Sequence, residues 1–577
     1  MNTATRQPAG KDSVPTNRKD SANKRPVEDQ FRIHRERPFR AEERPTTTVL
    51  VGGLSPTHDY LVEATLQALG VKAQKLTPDA LDDFHTGREY GNNGLCNPSY
   101  FMVGSLINYL RELENSGMSK ADIIEKYVFF VAGCNAPCRF GMVETEYRMA
   151  LKDCGFDGFR VLVFQNEGGL NQPSQSNGLE VNPAFFLAVV NALNLADVIN
   201  ELVYATRPYE VVKGQTDAVR QKALDYLYEK LKNKQKIQLS PRWNAFFKTL
   251  RFDRPAVFIY RFLDQIFSSY YPDALREVRK MFGEIEVDRF RSKAVVKITG
   301  EFWAMTTVGA GNFNMFRYLE SEGAVVLVEP VASLIQFLFS KGMLRHGNRR
   351  EMILKDQVKH WWNIGKRIGN YAKYQKKYLV LWLGCKIFRR EYARLQDALG
   401  ADHHTLIEQH ILQELAGKYY NINIEGGEGY MEIAKNRYYH EHHLAHMVLS
   451  LKPFGCMPST QSDGVQSAVM ELNRDMIFLP LETAAEGETN AQSRVLMSLS
   501  DAMIKAKREV ADARAAVGIT MEELRAYVDR HPEMKKATYI VPRRPGVVNM
   551  AAHFIYHVDD LIRKEKSKPP LNPHKPS

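Results

Sequence analysis

Short β-rich runs alternate with amphipathic helical stretches along this chain, and the alternation occurs in two separate series. The predicted strands lie at 46–56, 71–76, 127–133 and 159–165, and then at 294–302, 324–330, 445–455 and 475–482. Strands that alternate with helices favour a parallel sheet covered on both faces. The sequence therefore predicts an α/β fold made of two parallel-sheet units.

The regions around the two units divide the 577 residues into several parts, in keeping with about 100–200 residues per domain. We expect a disordered basic tail at 1–45, a first α/β unit at 46–210, a helical segment at 211–292, a second α/β unit at 293–510 with a helical insertion at about 334–419, and a helical C-terminal region with a disordered tail at 511–577.

The net charge of +11 is concentrated near the two ends of the chain. Residues 1–45 hold 11 Lys and Arg against 7 Asp and Glu, and residues 563–577 hold 5 against 1. Both segments are also rich in Pro, Ser and Asn, a composition typical of disorder. Nucleic-acid binding needs a basic face on a folded domain, and the sequence does not define one, so this class is disfavoured.

The chain has no uninterrupted apolar run of about 18 residues, and its N-terminus lacks the apolar middle of a secretory signal. We therefore expect a cytoplasmic protein without a membrane span. In that compartment the six cysteines are unsuited to a disulfide framework, which leaves metal binding, catalysis or burial.

Four of the cysteines stand where a predicted strand ends or a helix begins. Cys134 and Cys138 follow the strand ending at Gly133, Cys456 follows the strand at 445–455, and Cys96 precedes a helix that starts near Pro98. Ligands in open α/β sheets bind outside the carboxyl ends of the strands. Helix N-termini also stabilise thiolates, so these four residues are the candidate metal ligands.

Burial is the competing interpretation, because cysteine is among the residues most often buried as a small apolar side chain. Cys154, in KDCGF, and Cys385, in LVLWLGCKIF, fit that interpretation. The C-x₃-C spacing of Cys134 and Cys138 matches neither common zinc sites nor ferredoxins, so spacing alone does not decide between metal and burial.

Other motifs leave their alternatives open. The chain contains no G-x₄-GK[ST] loop and no G-x-G-x-x-G. GAGNFN (309–314) and GGEGY (426–430) suit either an anionic group or a tight turn. His440, His442, His443 and His446 form either a second metal face or a solvated or locally packed cluster, and we favour the latter.

Four segments resemble successive blocks of the acyl-CoA dehydratase activase-related proteins, within the 2-hydroxyacyl-CoA dehydratase superfamily. These segments are CNPSYFMVGSLINYL, GCNAPCRFGMVETEYRMALKDCGFDGFRVLVFQ, VVKITGEFWAMTTVGAGNFNMFRYLESEGA and KPFGCMPSTQSDGVQSAV. The resemblance covers 46–499 and implies two Rossmann-like units with an iron–sulfur cluster of the [4Fe–4S] type between them. It implies Cys96, Cys134, Cys138 and Cys456 as the cluster ligands.

In that superfamily a separate ATPase delivers a low-potential electron that permits dehydration of an acyl-CoA. This chain lacks the D-x-G-[ST]-T signature of the ATPase, so the resemblance implies a separate ATP-dependent activase as partner. The expected function is an iron–sulfur electron-transfer or reductase component. The alternatives are a radical 2-hydroxyacyl-CoA dehydratase subunit acting on an acyl-CoA, and a non-enzymatic, metal-stabilised assembly protein. The sequence identifies no catalytic residue.

Overall fold

Two β-sheets, each flanked by helices, form the frame of the protein, for which we describe a computed structural model. The structure describes residues 36–76, 78, 80–133, 138–165, 169–171, 177–234, 253–355, 364–400, 405–424 and 427–567. The strands are β1 Thr48–Gly52, β2 Ala73–Leu76, β3 Tyr127–Ala132, β4 Arg160–Gln165, β5 Gly169–Asn171, β6 Ala294–Gly300, β7 Ala324–Leu327, β8 Met447–Pro453 and β9 Phe478–Thr483.

Helices account for most of the other described residues. In chain order they are α1 Pro56–Ala68, α2 Leu81–Tyr90, α3 Asn97–Asn115, α4 Lys120–Lys126, α5 Val143–Asp153, α6 Pro183–Thr206, α7 Gln215–Lys232, α8 Asp253–Phe267, α9 Tyr270–Phe282, α10 Phe302–Thr306, α11 Met315–Ser321, α12 Val331–Asn348, α13 Arg350–Lys355, α14 Ile364–Leu399, α15 Gln409–Gly417, α16 Gly429–Glu441, α17 Met457–Leu472, α18 Glu488–Val517, α19 Met521–Arg530 and α20 Met550–Lys566.

The two sheets have the same strand order. The first is β2-β1-β3-β4-β5, parallel except for β5, which runs antiparallel to β4. The second is β7-β6-β8-β9 and is parallel throughout. In both sheets the order reverses beside the first strand, and that reversal is where open α/β sheets bind ligands. The predicted α/β fold with two Rossmann-like parallel-sheet units is confirmed.

The central strands of the second sheet are buried on both faces. Every residue of β6 and of β8 is buried, as expected for strands covered by crossover helices. One face packs against α18 through residues such as Val296 and Leu449. The other face carries Lys297 and Lys452, which are buried and paired with carboxylates.

The helix α6 joins the two units. The carboxylate of Asp197 on α6 accepts hydrogen bonds from the backbone N–H groups of Val331 and Ala332, at 2.8 Å each, and so caps α12 of the second unit. The segment Pro183–Tyr209 is the one helical segment in the described parts of the chain that is long and apolar enough to cross a membrane, and 56% of its apolar window is buried inside the fold.

The last ten residues of the predicted N-terminal tail are packed against the first unit. Glu36 forms an ion pair with Arg148 at 2.6 Å and accepts a hydrogen bond from the Val161 N–H at 3.0 Å. Phe39 is 0% exposed and lies under the Arg160 guanidinium. The prediction of a disordered tail is therefore wrong for 36–45. One buried aromatic ring and the paired charges offset the conformational entropy that this polar segment loses when it becomes ordered. Residues 1–35 and 568–577 lie outside the described residues.

Phe39→Ala is expected to destabilise the fold by about 3–5 kcal/mol, since it removes a fully buried ring and leaves a cavity. Urea unfolding followed by circular dichroism measures the change in the free energy of unfolding. Phe267→Ala, at a ring that is 75% exposed, is the matched control and should change the free energy of unfolding little. Equal effects of the two substitutions would show that 36–45 does not contribute to the core.

Candidate functional site

The start of α3 in the first unit lies against the carboxyl edge of the second sheet. Asn97, which begins α3 of the first unit, donates its backbone N–H to the carbonyl of Phe454 at 3.3 Å. Its side-chain amide donates to the carbonyl of Thr483 at 2.9 Å. Phe454 follows β8 and Thr483 ends β9, so a residue of the first unit is fixed against the carboxyl edge of the second sheet.

Cys96 is the residue immediately before this junction. It is the N-cap of α3, with Pro98 in the first turn, and its thiol is buried. The sulfur lies 3.4 Å from the Ser99 hydroxyl. Burial raises the pKa of the Cys96 thiol, the Ser99 hydrogen bond lowers it, and the Glu301 charge raises it.

Cys456 reaches the same place from the second unit. It is the N-cap of α17, and its thiol is buried. The preceding Gly455 has a φ of +81°, and a Cβ built on it would lie 3.2 Å from the Leu95 carbonyl oxygen and 3.6 Å from Cα of Cys96. The absence of a side chain at Gly455 thus allows the two cysteine-bearing backbones to touch.

Cys138 lies in the third loop at this junction. It is half-buried and caps the short 3₁₀ segment Arg139–Met142. Arg139 donates from Nη1 to the Gly94 carbonyl, and the same nitrogen would lie 3.4 Å from a Cβ on Gly455. The structure therefore brings the loops of Cys96, Cys138 and Cys456 together. Cys134 lies outside the described residues.

Glu301 is a carboxylate at this junction that sequence reasoning missed. It follows β6 directly, caps α10, and accepts a hydrogen bond from the Ala304 N–H at 2.9 Å. Burial raises its pKa to about 7. The charge of Glu301 in turn raises the pKa of the Cys456 thiol, although burial is the larger cause. Because their pKa values are raised, the thiols of Cys96 and Cys456 would have to release protons in order to bind a metal. A positively charged group at this junction, such as a bound metal, would be needed to hold them as thiolates at neutral pH.

A buried polar cluster, made of Lys452, Glu432, Ser459 and Ser462, lies beside Cys456. Ser459 and Ser462 donate to the Glu432 carboxylate at 2.8 and 2.5 Å, and Lys452 lies 3.6 Å from it. Burial lowers the pKa of Lys452, and the Glu432 charge opposes that effect. Lys452 also contacts Asp463. Sequence reasoning missed this cluster, and the only local signal for it was a lysine inside an apolar strand.

The described residues of the two glycine-rich motifs border the same junction, and Gly426 lies outside the described residues. Gly311 packs against the ring of Trp303, whose centroid lies 5.3 Å from that of Phe101 of α3 in a tilted arrangement. Glu428, in GGEGY, accepts a hydrogen bond from the Phe302 N–H at 2.8 Å. Gly427 has a φ of +69° and lies against Pro458. Both motifs therefore support the loops around Glu301 and Cys456.

A buried chain of hydrogen bonds joins Ser55, His58 and Asp197 at the N-terminal end of α1. The Ser55 hydroxyl lies 2.6 Å from Nδ1 of His58, and Nε2 of His58 lies 3.0 Å from the Asp197 carboxylate. These are the residue types of a hydrolytic triad. However, Ser55 is buried and Asp197 also caps α12, so the chain joins α1, α6 and α12.

The remaining candidates stand apart from the junction. Cys154 ends α5 in the first unit and Cys385 lies within α14. The histidines do not converge: His442 stacks on Tyr438, and the buried His446 accepts a hydrogen bond from the Val295 N–H at 2.9 Å. Across the described ranges, no group of three or more His, Cys, Asp and Glu side chains has the geometry of a metal site. The loops of Cys96, Cys138 and Cys456 therefore lie near one another in the described structure, but their thiols are not in the geometry of a metal site.

In comparisons with known proteins, no family model and no curated protein matches this chain.

Proposed function

We propose that this chain is an iron–sulfur protein that acts as a low-potential electron-transfer or reductase component with a separate ATP-dependent activase, in acyl-CoA dehydratase-type chemistry. The observation that carries the proposal is the meeting of the Cys96, Cys138 and Cys456 loops at the carboxyl edge of the second sheet. Three thiols from distant parts of the sequence suit a soft metal centre far better than a hard cation.

The thiols suit a [4Fe–4S] cluster in their chemistry, since cysteine thiolates are the usual ligands of such clusters. Cys96, Cys138 and Cys456 would hold it together with Cys134, whose segment joins β3 to Cys138. Such a cluster supplies one electron at low potential when bound. Cys96 and Cys456 are helix N-caps, so the backbone N–H groups of α3 and α17 would favour the negative charge of thiolates.

The other residues of the junction have roles that do not depend on the cluster. Asn97 fixes the two units against each other through the Phe454 and Thr483 carbonyls. The buried, tilted rings of Phe101 and Trp303 exclude water from one side of the junction. Glu301 provides a carboxyl group whose pKa of about 7 lets it hold or release a proton near neutral pH.

Glu301 is also the observation that favours a second candidate, a radical 2-hydroxyacyl-CoA dehydratase subunit. Dehydration requires proton transfer near the reacting acyl group, and Glu301 is a carboxyl beside the thiols with a suitable pKa. The third candidate, a non-enzymatic protein with a structural metal, requires the same ligands but no electron transfer.

Anaerobic purification with iron and sulfide analysis, followed by redox titration, tests the proposal. We expect iron and acid-labile sulfide in comparable amounts and one reversible couple at low potential. A metal that remains redox-silent would support the structural candidate and contradict the proposal. Measured turnover of a 2-hydroxyacyl-CoA with an added activase would favour the dehydratase. Phosphate release from ATP by the chain alone would contradict the need for a separate activase.

A further inference from the structure

A helical arm extends from the second unit and leaves one side of a long helix uncovered. The arm consists of α12 and the part of α14 from 364 to 390. His346 of α12 stacks on Tyr374 of α14 at 4.4 Å, and Phe339 of α12 packs against Phe388 of α14 at 6.3 Å. The helix α12 therefore runs antiparallel to α14 and covers one side of it. Tyr392, further along α14, is buried in the core that joins the two units.

The uncovered side of α14 carries an apolar stripe. Residues 364, 368, 371, 378 and 382 are spaced by four, three, seven and four positions, which places them on one side of a helix. The exposed apolar residues of this part of α14 are Ile364, Ile368, Tyr371, Tyr378, Leu379, Val380, Trp382 and Leu383. Each of these residues is between 38% and 64% exposed. A continuous patch of this kind marks an interaction surface, whereas isolated exposed residues do not.

The same part of α14 is strongly basic. Residues 364–390 contain eight Lys and Arg and no Asp or Glu. Lys373, Lys376 and Lys377 are exposed, and none forms an ion pair with another described residue. Lys386 lies 4.4 Å above the ring of Trp382. The charge that the sequence alone attributed chiefly to the two ends of the chain is therefore also present on a folded helix.

We propose that the 364–390 face of α14 docks onto the surface of an anionic lipid bilayer. An amphipathic helix with aromatic and aliphatic residues on one side and lysines on the other lies in the membrane interface, with the apolar side in the acyl boundary. Anionic headgroups attract the basic residues, and long lysine side chains reach the headgroups while their stems stay apolar.

The composition of the face discriminates against other occupants. A second copy would bring another strongly basic helix against the first, and like charges would repel. Single-stranded nucleic acid would use the basic and aromatic residues, but it has no contact for Ile364, Ile368, Leu379 and Leu383. A bilayer surface can contact both the basic and the aliphatic side chains. The stripe is about 30 Å long at 1.5 Å per residue, which is long enough for the helix to lie flat on the bilayer.

Flotation of the full chain with lipid vesicles tests the proposal. We expect binding to vesicles of equimolar phosphatidylcholine and phosphatidylglycerol, little binding to phosphatidylcholine alone, and release at high salt. Two variants should each lower binding at least about tenfold. One combines Tyr378→Ser, Leu379→Ser, Trp382→Ser and Leu383→Ser, and the other combines Lys373→Glu, Lys376→Glu and Lys377→Glu.

Matched controls lie on α18, which carries exposed residues of both kinds. Met497→Ser with Ile504→Ser, and Lys507→Glu, should leave flotation unchanged. Because every substituted residue is exposed, all variants should melt like the parent chain. Failure of the parent chain to float with anionic vesicles would overturn the proposal, as would equal loss in the α18 controls. Binding of a single-stranded oligonucleotide without flotation would overturn it in favour of nucleic acid.

Discussion

Cys96→Ser and Cys456→Ser are each expected to lose most of the iron and sulfide that the parent chain carries after anaerobic purification. Serine is a poor replacement for thiolate on iron. Both residues are buried N-caps at the junction of the two sheets, so no other described thiol can take their place. Removing a direct ligand should lower the metal affinity more than removing a residue that only supports a ligand, which lowers it roughly 10–100-fold.

Cys154→Ser and Cys385→Ser are the controls, because these thiols lie away from the junction and should leave iron content unchanged. The variant Gly455→Val tests the junction in another way, because it keeps every thiol and changes only the contact between the two backbones. Its side chain would crowd the Leu95 carbonyl and the Cys96 backbone at a φ of +81°, so we expect partial loss of iron. Melting curves separate lost ligation from unfolding. Retention of iron in Cys96→Ser together with its loss in Cys385→Ser would contradict the proposed ligand set.

Glu329→Ala is expected to be the most destabilising single change in the second unit, by about 3–5 kcal/mol. The buried Glu329 carboxylate lies 2.6 Å from Lys297 and 3.1 Å from Lys435, which are also buried. Its removal leaves two buried ammonium groups without their shared counter-charge. Urea unfolding at neutral pH measures the loss. Glu277→Ala, which breaks an exposed pair with Lys280, is the control and should cost at most about 1 kcal/mol.

The same carboxylate predicts how stability depends on pH. Burial acts to raise the pKa of Glu329, but Lys297 and Lys435 outweigh it and hold the pKa far below its ordinary value of 4.5. A group whose folded pKa is lowered contributes stability above its unfolded pKa and loses it as the pH falls. The difference in stability between the parent and Glu329→Gln should therefore shrink below about pH 4.5. A difference that stays constant as the pH falls well below that value would contradict the assignment.

Local sequence patterns predicted eight of the nine described strands and most helices, because such elements depend on short-range information, and they missed the short β5. β6 and β8 are uninterrupted apolar runs with one lysine each, and α3 begins where Pro98 suits a first helical turn. Cys96, Cys138 and Cys456 were predicted to stand at strand ends or helix starts, where ligands of α/β sheets bind, and the family resemblance implied that they share one cluster. Whether these thiols bind iron stays a prediction, as do the family resemblance, the activase partner and the cytoplasmic location.

Other features depended on which distant residues pack together. The sequence around Glu301 indicates only the end of a strand. No local pattern there predicts that Cys96, which belongs to the other unit, lies close to Glu301. Phe39 stands in a polar segment, and only its packing under Arg160 shows that 36–45 is part of the core.

The sequence by itself determined the elements and the strand ends at which the cysteines stand, because hydrophobic periodicity and turn residues act over a few positions. The tertiary structure alone decided that the start of α3 lies against the carboxyl edge of the second sheet, since that depends on contacts such as Asn97 with Thr483. It also decided which charges became buried pairs, as with Lys297, Glu329 and Lys435. Burial of a charge is tolerated only where a partner from elsewhere in the chain arrives to compensate it, and no local pattern encodes that partner.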